Sequence, residues 1–365
     1  MPARHPLLVR SLALLAAALL AAFAVACGDE AEAPEEPPEP PPPTATPEPA
    51  DPTTLTVITH DSFDVSDGLI EQFEQEHNAK VELIAGGDAN EVVNRAILNS
   101  GNPEGDVLFG VDNLSFQRAV KAGVFREYES PRRGDIPADI RAQFGDSLLL
   151  TPIDYGYVNL NFDPAAGEPP STLEELTERQ WRGKLVVEDP ATSSPGLQFL
   201  ATTIAYFGEG RWQQFWQDLH DNEVRVELGW SDAYYTHFSV YGGDRPLVVS
   251  YTSSPAAEFF FSEEPLTEPP TRNVIPSPLF RQVEAAAVLE GTEHADLAGK
   301  FIDFMLSDAF QSQIPETMFV YPVIPDLELP EWWSWADVEV ETASIEFTAE
   351  DVDRWIREWT EIMRR

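Results

Sequence analysis

The chain has 365 residues, long enough to bury a large core, and 43% of them are hydrophobic. Asp and Glu number 63 against 23 Lys and Arg, a formal net charge of −40, and so acidic a surface repels nucleic acid and anionic lipid headgroups. The single cysteine, Cys27, excludes intrachain disulfides and metal sites built from several thiolates.

The N-terminus has the pattern of a secretory signal, predicted over residues 1–26. A basic stretch is followed by an apolar one over residues 11–26, shorter than the roughly 20 residues that span a bilayer. Cys27 stands where bacterial lipoproteins carry their lipidated cysteine, although Ala24 occupies a position at which Leu is usual. We therefore expect an extracytoplasmic protein anchored by lipid at Cys27, with plain cleavage after Ala26 or an uncleaved anchor as alternatives.

Residues 27–53 are predicted to form a tether. Within them, residues 29–52 contain ten prolines and eight acidic residues and no aliphatic side chain larger than alanine. Such a stretch cannot bury apolar area and stays extended, at roughly 3.1 Å per residue in polyproline form. It would hold the following domain away from a membrane; disorder without a spacer role fits the composition equally well.

Strands and helices alternate from residue 54 on. Apolar runs predict strands over residues 55–59, 80–85 and 106–109. Helical spacing predicts one helix with Leu69, Ile70 and Phe73 on a face and another over residues 89–99, with Asp88 as its candidate N-cap. This βαβαβ order implies a parallel sheet with right-handed crossovers.

A long extended segment over residues 148–162 is suited to pass between two lobes, and the pattern then starts again. Further strands are predicted over residues 184–188, 224–228, 247–251 and 281–288. A helix with Leu297, Phe301, Phe304 and Met305 inward follows. The last helix, over residues 349–364, has Val352, Ile356, Trp359 and Met363 at helical spacing and starts at a capping box of Thr348 and Asp351.

The predicted fold class is therefore α/β, with two lobes joined by two extended crossovers. Residues 54–153 and 281–365 are assigned to lobe 1, and residues 154–280 to lobe 2. Two such lobes close on a ligand by hinge motion. Together with an export signal and a tether, this architecture is what the solute receptor of an importer requires.

The sequence Thr-Ser-Ser-Pro occurs twice, at 192–195 and 252–255, each time between a predicted strand and a helix. Ligands of open α/β sheets bind at the carboxyl ends of strands, where free N–H groups at helix N-termini suit oxygen-bearing ligands. Ser194 and Ser254 are expected to be the N-caps, with Pro195 and Pro255 at the first helical position. The hydroxyls left over for a ligand are those of Thr192, Ser193, Thr252 and Ser253.

Carboxylates and aromatic rings follow the other predicted strands. The candidate binding residues among them are His60, Asp61, Asp88, Asp112, Tyr155, Trp230, Tyr234 and Tyr251. Aromatic faces stack on flat rings and attract cations, and carboxylates satisfy amino groups and positive charge. The set suits a cationic aromatic solute, with or without phosphate, while Asp61, Asp88 and Asp112 would serve equally well as helix caps.

Several segments resemble the thiamine-binding proteins of bacterial ABC importers. They are Thr-His-Asp-Ser-Phe (59–63), Gly-Val-Asp-Asn (110–113), Asp-Tyr-Gly-Tyr (154–157), Asp-Pro-Ala-Thr-Ser-Ser-Pro-Gly (189–196), Gly-Trp-Ser-Asp-Ala-Tyr (229–234) and Val-Ser-Tyr-Thr-Ser-Ser-Pro (249–255). The resemblance implies a type II periplasmic-binding-protein fold that holds thiamine or its phosphates between its lobes and delivers it to a membrane permease. It implies no cofactor, and we expect a monomer.

By motif position, the resemblance also implies roles for single residues. Trp230 and Tyr251 would contact the heterocycles, Asp88 and Asp112 the aminopyrimidine or the cationic ring, and Thr192 and Ser193 the hydroxyl or phosphate end. Two positions depart from the family. His60 stands where tyrosine is frequent, and Ala256-Ala257 replaces an aromatic residue, a loss that Phe259 or Phe260 is expected to compensate in part.

Three alternatives remain at this stage, of which a purely structural surface protein has no motif in its favour. A ferric-ion receptor of the same fold is favoured by Tyr234-Tyr235, which resembles the adjacent tyrosines of such proteins, and by His60 at a ligand position. An enzyme is weakly suggested by Gly229-Trp230-Ser231, but Ala233 replaces the second glycine of a nucleophile elbow, and phosphate-loop and zinc-protease motifs are missing. We expect a binding protein that is not an enzyme and has no metal site.

Overall fold

The computed structural model describes residues 51–274 and 278–364; the predicted signal, the lipid site at Cys27 and nearly all of the tether lie outside them. The strands are β1 (Thr53–Thr59), β2 (Ala79–Ala85), β3 (Val107–Asp112), β4 (Phe125–Arg126), β5 (Thr151–Phe162), β6 (Leu185–Glu188), β7 (Arg225–Glu227), β8 (Leu247–Tyr251), β9 (Arg272–Val274), β10 (Arg281–Leu289) and β11 (Tyr321–Pro322). The α-helices are α1 (Asp67–His77), α2 (Ala89–Leu98), α3 (Phe116–Lys121), α4 (Ala138–Arg141), α5 (Ser194–Phe207), α6 (Trp212–Asp221), α7 (Trp230–Asp232), α8 (Ser254–Phe261), α9 (Ala295–Met305), α10 (Asp308–Gln311), α11 (Ile314–Thr317) and α12 (Ala349–Met363).

The strands form a path in the order β2-β1-β3-β10-β5-β8-β6-β7. The pairs β1–β2 and β1–β3 are parallel, as the βαβαβ order predicts, and β10 lies antiparallel between β3 and β5. In the other half, β6 is parallel to both β7 and β8. The carboxyl ends of the parallel strands from both halves therefore point towards one shared region.

Two hydrophobic cores lie along this path, and two strands pass from one core to the other. In β5, Ile153 belongs to the first core and Val158 to the second; its residues 151–157 pair with β10, and those from Val158 on pair with β8. Near β10, Phe280 packs in the second core and Val283 in the first. The expected α/β class with two lobes is confirmed.

The chain passes between the cores a third time, which the sequence interpretation did not include. Val323 and Ile324 pack in the first core, whereas Ala343 and helix α12 pack in the second, with Trp359 against Trp216 of α6 at 5.5 Å between ring centroids. The C-terminal helix thus departs from the predicted assignment of residues 281–365 to lobe 1. Helical spacing identifies which face of a helix is apolar but not which core that face meets.

Local capping signals agree with the structure at two helices. Thr348 and Asp351 form the capping box of α12, and the Asp88 side chain caps α2 by accepting the N–H of Ala89 at 2.6 Å. The buried residues of α12 are Ala349, Val352, Trp355, Trp359 and Ile362, so Ile356 and Met363 lie at the margin of the buried stripe. Satisfying the free N–H groups of a first turn is a local requirement, which explains why sequence alone located both caps.

Candidate functional site

A cleft with a volume of about 320 Å³ lies where the strand ends of the two halves meet. Six of the residues expected to bind a ligand line it: His60, Asp61, Asp88, Trp230, Tyr234 and Tyr251. The other six, Asp112, Tyr155, Thr192, Ser193, Thr252 and Ser253, are not part of its lining. The structure therefore brings half of the predicted set together.

The hydroxyls of the Thr-Ser-Ser-Pro loops are distributed differently from the prediction. The N-caps are Ser193 and Ser253, one residue earlier than expected, and the hydroxyls that line the cleft are those of Ser194 and Ser254. Successive residues at a helix start point about 100° apart, so moving the helix start by one residue changes which hydroxyl faces the cleft.

Two of the four hydroxyls expected to bind a ligand donate to backbone carbonyls instead. The hydroxyl of Thr192 donates to the carbonyl of Leu228 at 2.6 Å, and that of Ser253 to the carbonyl of Phe319 at 2.5 Å. Ser193 and Thr252 are fully buried.

Asp112 and Tyr155 lie outside the cleft lining and contact other residues of the protein. The carboxylate of Asp112 is buried and accepts the N–H groups of Leu114 and Ser115, each at 2.7 Å, and the hydroxyl of Ser194. Burial is the main reason why the pKa of Asp112 is raised. Tyr155 stacks on Tyr321 at 5.1 Å between ring centroids. Asp112 therefore orients the hydroxyl of Ser194, which is part of the cleft lining, whereas Asp112 itself is not.

Asp88 joins the two halves across the cleft. Its carboxylate oxygens accept the N–H of Ser194 at 3.3 Å and the N–H of Trp230 at 2.9 Å, both from the second half of the molecule. Burial raises the pKa of Asp88 to about 6, although these hydrogen bonds and His60 act in the opposite direction. Asp88, which local sequence predicts as the cap of α2, is thus also a contact between the two halves.

Further contacts between the halves surround Asp88. The side chain of Asn90 donates to the carbonyls of Pro190 and Ser193 at 3.2 and 3.1 Å, and the side chain of Asn94 donates to the carbonyl of Ala191 at 3.0 Å. On the other side of the cleft, the hydroxyls of Ser62 and Ser231 are 3.5 Å apart. These contacts define a closed arrangement of the two halves.

An aromatic surface forms one wall of the cleft. Trp230 stacks on Tyr234 with 4.8 Å between ring centroids and an interplanar angle of 23°, and its indole N–H donates to the Ser250 hydroxyl at 2.8 Å. Tyr251 and Phe261 add further rings to the lining. At the departure from the family pattern, Ala257 lines the cleft together with Phe261, rather than with the expected Phe259 or Phe260.

A buried carboxylate that the sequence reasoning missed, Glu258, lies beside this wall. Its Oε1 accepts the hydroxyls of Tyr234 at 2.9 Å and Tyr241 at 2.7 Å. Burial raises the pKa of Glu258 and, together with this carboxylate, raises that of Tyr234 well above its ordinary value. A charged residue inside the apolar sequence Ser-Pro-Ala-Ala-Glu-Phe-Phe-Phe (254–261) was the available signal.

The floor of the cleft contains a second missed carboxylate, Glu284. It sits at an irregularity of β10, where the register with β5 shifts, and its side chain is 3.6 Å from the His60 imidazole. Burial alone would lower the pKa of His60, but Glu284 and neighbouring carboxylates outweigh it, so the pKa is raised. Asp154 lies opposite Glu284 on β5, and burial next to that carboxylate raises the pKa of Asp154 well above its ordinary range.

The charge of the lining is strongly one-sided. Among the described residues that line the cleft, the carboxylates are Asp61, Asp64, Asp88, Glu258 and Glu284, whereas His60 is the sole basic side chain. Across residues 51–274 and 278–364, no group of three or more His, Cys, Asp or Glu side chains is arranged to hold a metal ion. The same residues include no helix that could cross a membrane. An acidic cleft with an aromatic wall suits a flat cation.

The family model for bacterial extracellular solute-binding proteins matches residues 102–339. The thiamine-binding periplasmic protein of Escherichia coli (strain K12) is 32% identical over 322 residues, which cover 85% of this chain and 94% of the relative. The protein of that name from Brucella suis is 31% identical over 274 residues, 74% of this chain and 79% of the relative. Iron uptake protein A2 of Synechocystis is 27% identical over 76% of this chain and 80% of its own.

Solved structures of binding proteins share the fold of this chain. A periplasmic thiamin binding protein matches with a TM-score of 0.74 at 30% identity, covering 86% of this chain and 97% of that one. A ferric binding protein from Campylobacter jejuni matches with a TM-score of 0.68 at 19% identity, covering 85% and 98%. The relatives are binding proteins rather than enzymes.

Proposed function

Because the chain belongs to the bacterial extracellular solute-binding proteins, we propose that it captures thiamine outside the cytoplasm and delivers it to the permease of an ABC importer. The observation that carries the proposal is the pairing of an aromatic wall with a strongly acidic lining in one cleft. Thiamine joins a flat aminopyrimidine to a permanently cationic thiazolium ring, and the two features of the cleft complement these two properties.

Trp230 is the proposed stacking surface for the vitamin. Tyr234 supports its ring from one side and the Ser250 hydroxyl holds its indole N–H, so the orientation of the ring is set before a ligand arrives. An aromatic face attracts a cation by about 0.5–2 kcal/mol. A ring that is already oriented loses little entropy on binding.

The carboxylates are proposed to neutralise the thiazolium charge and to accept the pyrimidine amino group. Asp88, Glu258 and Glu284 are the buried members of this set, and Asp61 and Asp64 are exposed at the rim. Of the other predicted site residues, Tyr251 is proposed to add to the wall, His60 to the floor, and Asp112 to hold Ser194 in place. The Thr-Ser-Ser-Pro loops would contribute Ser194 and Ser254 as direct contacts.

Capture and release are proposed to use hinge motion around the two strands shared by the cores, β5 and β10. The hydrogen bonds of Asp88, Asn90 and Asn94 to residues of the other half would form on closure and break on opening. The proposed lobe boundaries at residues 153–154 and 280–281 lie within a few residues of the points where the chain changes core, and α12 would move together with lobe 2. Lipid attachment at Cys27 and a monomeric state complete the proposal.

The ferric-ion alternative has weaker support. Iron receptors need a phenolate ligand, but the hydroxyl of Tyr234 donates to Glu258, and its pKa is raised, which disfavours the phenolate. Its neighbour Tyr235 is half-exposed, and its ring lies nearly perpendicular to that of Trp230 with 5.4 Å between centroids. The adjacent residues Tyr234 and Tyr235, which both line the cleft, are therefore explained as part of its aromatic wall.

Calorimetry on protein freed of endogenous solute tests the proposal. We expect heat and a one-to-one stoichiometry with thiamine, and no binding of spermidine, which is cationic but lacks a ring, or of Fe(III). A violet-red colour with Fe(III) that disappears in Tyr234→Phe would favour the iron alternative. Absence of any thiamine heat, at pH 7.5 and moderate salt, would refute the proposed function.

A further inference from the structure

We infer that Glu258 is the residue that makes the cleft select a quaternary, cationic ring over an uncharged ring of the same shape. The inference rests on the proposed function and names the side chain that recognises the charge of the thiazolium ring. It is carried by the position of Glu258, a buried carboxylate of the cleft lining that has neutral hydrogen-bond partners and aromatic neighbours.

Glu258 is buried without a compensating positive charge. It is 9% exposed, and among the described residues no lysine, arginine or histidine side chain forms an ion pair with it. A carboxylate loses its hydration on burial, which is why buried charges in proteins are normally paired. Burial accordingly raises the pKa of Glu258, against the effect of two tyrosine hydroxyls that bond to it. A ligand cation beside this carboxylate would supply the missing counter-charge.

The other carboxylates of the lining are either engaged within the protein or exposed to water. Asp88 accepts three backbone N–H groups, and Glu284 lies 3.6 Å from the imidazole of His60. Asp61 and Asp64 are exposed, and water and salt weaken their interaction with a charge in the cleft. Among the described lining carboxylates, Glu258 therefore gains most from a bound cation.

The two tyrosine hydroxyls hold Glu258 in place through one of its oxygens. Oε1 accepts the hydroxyls of Tyr234 at 2.9 Å and Tyr241 at 2.7 Å, and Oε2 accepts no hydrogen bond from the described residues. A quaternary nitrogen has no N–H to donate, so charge and aromatic faces recognise it instead of hydrogen bonds. A carboxylate that is fixed through one oxygen places a negative charge at a defined point and requires no donor on the ligand.

Four aromatic rings of the lining form a continuous cluster next to this carboxylate. Tyr234 stacks on Trp230 and lies 5.7 Å from Tyr241 between ring centroids. Tyr235 closes the cluster, at 5.4 Å from Trp230 and 5.0 Å from Tyr241. Several aromatic faces around one cation are the usual means of binding a quaternary ammonium group. Because such faces also stack on neutral rings, we expect the preference for a charged ring to come chiefly from Glu258.

Calorimetry with thiamine and a neutral isostere tests the inference. In the isostere, a thiophene ring replaces the thiazolium ring, which keeps the shape of the ligand and removes its charge. We expect the native protein, freed of endogenous solute, to bind thiamine at least about tenfold more tightly than the isostere. Equal affinities would overturn the inference and leave the proposed function intact, whereas failure of both ligands to bind would refute the proposed function itself.

Substitution of Glu258 separates its charge from its contacts with the tyrosines. Glu258→Gln keeps an oxygen that can accept the hydroxyls of Tyr234 and Tyr241 and removes the charge. We expect this variant to bind thiamine at least about tenfold more weakly than the native protein does, and to bind the isostere with unchanged affinity. Glu263→Gln is the matched control, because it removes the same charge from an exposed position just after α8 and outside the cleft lining. It should bind both ligands as the native protein does.

A loss of affinity in Glu258→Gln that is equally large for thiamine and for the isostere would contradict charge recognition by Glu258. A fall of the thiamine preference that is equally large in Glu284→Gln would assign the preference to the total charge of the lining and would also overturn the inference. A thermal unfolding profile recorded for each variant verifies that it is folded. If Glu258→Gln does not fold, Glu258→Met serves as the second variant, since its side chain is similar in length and carries no charge.

Discussion

Trp230 is part of the cleft lining and is held in a fixed position. Its indole N–H is donated to Ser250, and its ring stacks on Tyr234 and meets Tyr235 at nearly a right angle. Asp88 has a comparable double role, as cap of α2 and acceptor for two N–H groups of the other half. Each of these two side chains therefore has a role within the protein and a role at the cleft.

Replacement of this ring should weaken binding more than it weakens the fold. We expect Trp230→Ala to lower thiamine affinity by more than about tenfold, because the stacking and cation–π contact is lost. Tryptophan fluorescence of the native protein should be quenched by the ligand, and the quenching should diminish in the variant. Trp335→Ala, a change of the same size at a half-exposed tryptophan outside the cleft lining, is the control and should bind normally.

Helix α12 shows how an element far along the chain stabilises the second half. Trp355 and Trp359 are almost fully buried in the second core, and Trp359 meets Trp216 edge to face. Its apolar stripe and capping box are local features, but its packing partners are α6 and the loops around it. The helix therefore couples the C-terminus to the half of the molecule that carries the aromatic wall.

Shortening a buried side chain of α12 should destabilise the folded protein. We expect Trp359→Ala to lower the free energy of unfolding by about 3–5 kcal/mol, the usual cost of removing a buried tryptophan. Arg357→Ala, on the exposed face of the same helix, should change it by no more than about 0.5 kcal/mol. Urea unfolding followed by circular dichroism measures both, and equal effects of the two substitutions would show that α12 is not packed as described.

The whole molecule is acidic, and its buried carboxylates are concentrated around the cleft and the ends of its strands. Burial raises the pKa of Asp88, Asp154 and Glu188, and the pKa of His60 is raised through its carboxylate neighbours. All four shifts mean that the folded protein binds more protons than the unfolded chain near neutral pH. The buried carboxylates around the cleft therefore lower the stability of the folded protein near neutral pH.

The sign of these shifts predicts a pH dependence. Stability should rise as the pH falls from 8 to about 5, since folding then takes up protons. The shift of Asp88 from 3.8 to about 6 corresponds to about 3 kcal/mol in full, of which about half is gained by pH 5. Below that range, groups with lowered pKa values, such as Asp139 and Glu209 beside their arginines, become protonated and stability is lost again.

Thermal unfolding tests this prediction. We expect a Tm about 5 °C higher at pH 5.5 than at pH 8, also in 0.5 M salt, where surface repulsion is screened. Asp154→Asn replaces one buried titrating group with a neutral analogue and should show a smaller difference between the two pH values. A Tm that is constant or falls on acidification to pH 5.5 would contradict the assigned shifts.

The sequence alone determined the order of strands and helices, the parallel first sheet, the α/β class and the caps at Asp88 and Thr348, because periodicity and capping depend on neighbouring residues. It also indicated the aromatic residue Trp230 and the acidic character of the site. Only the tertiary structure decided that Ser194 rather than Ser193 faces the cleft, that Glu258 and Glu284 complete it, and that α12 packs in the second core. These outcomes depend on the exact start of a helix and on contacts between residues far apart in the chain, and neither leaves a periodic signal in the sequence.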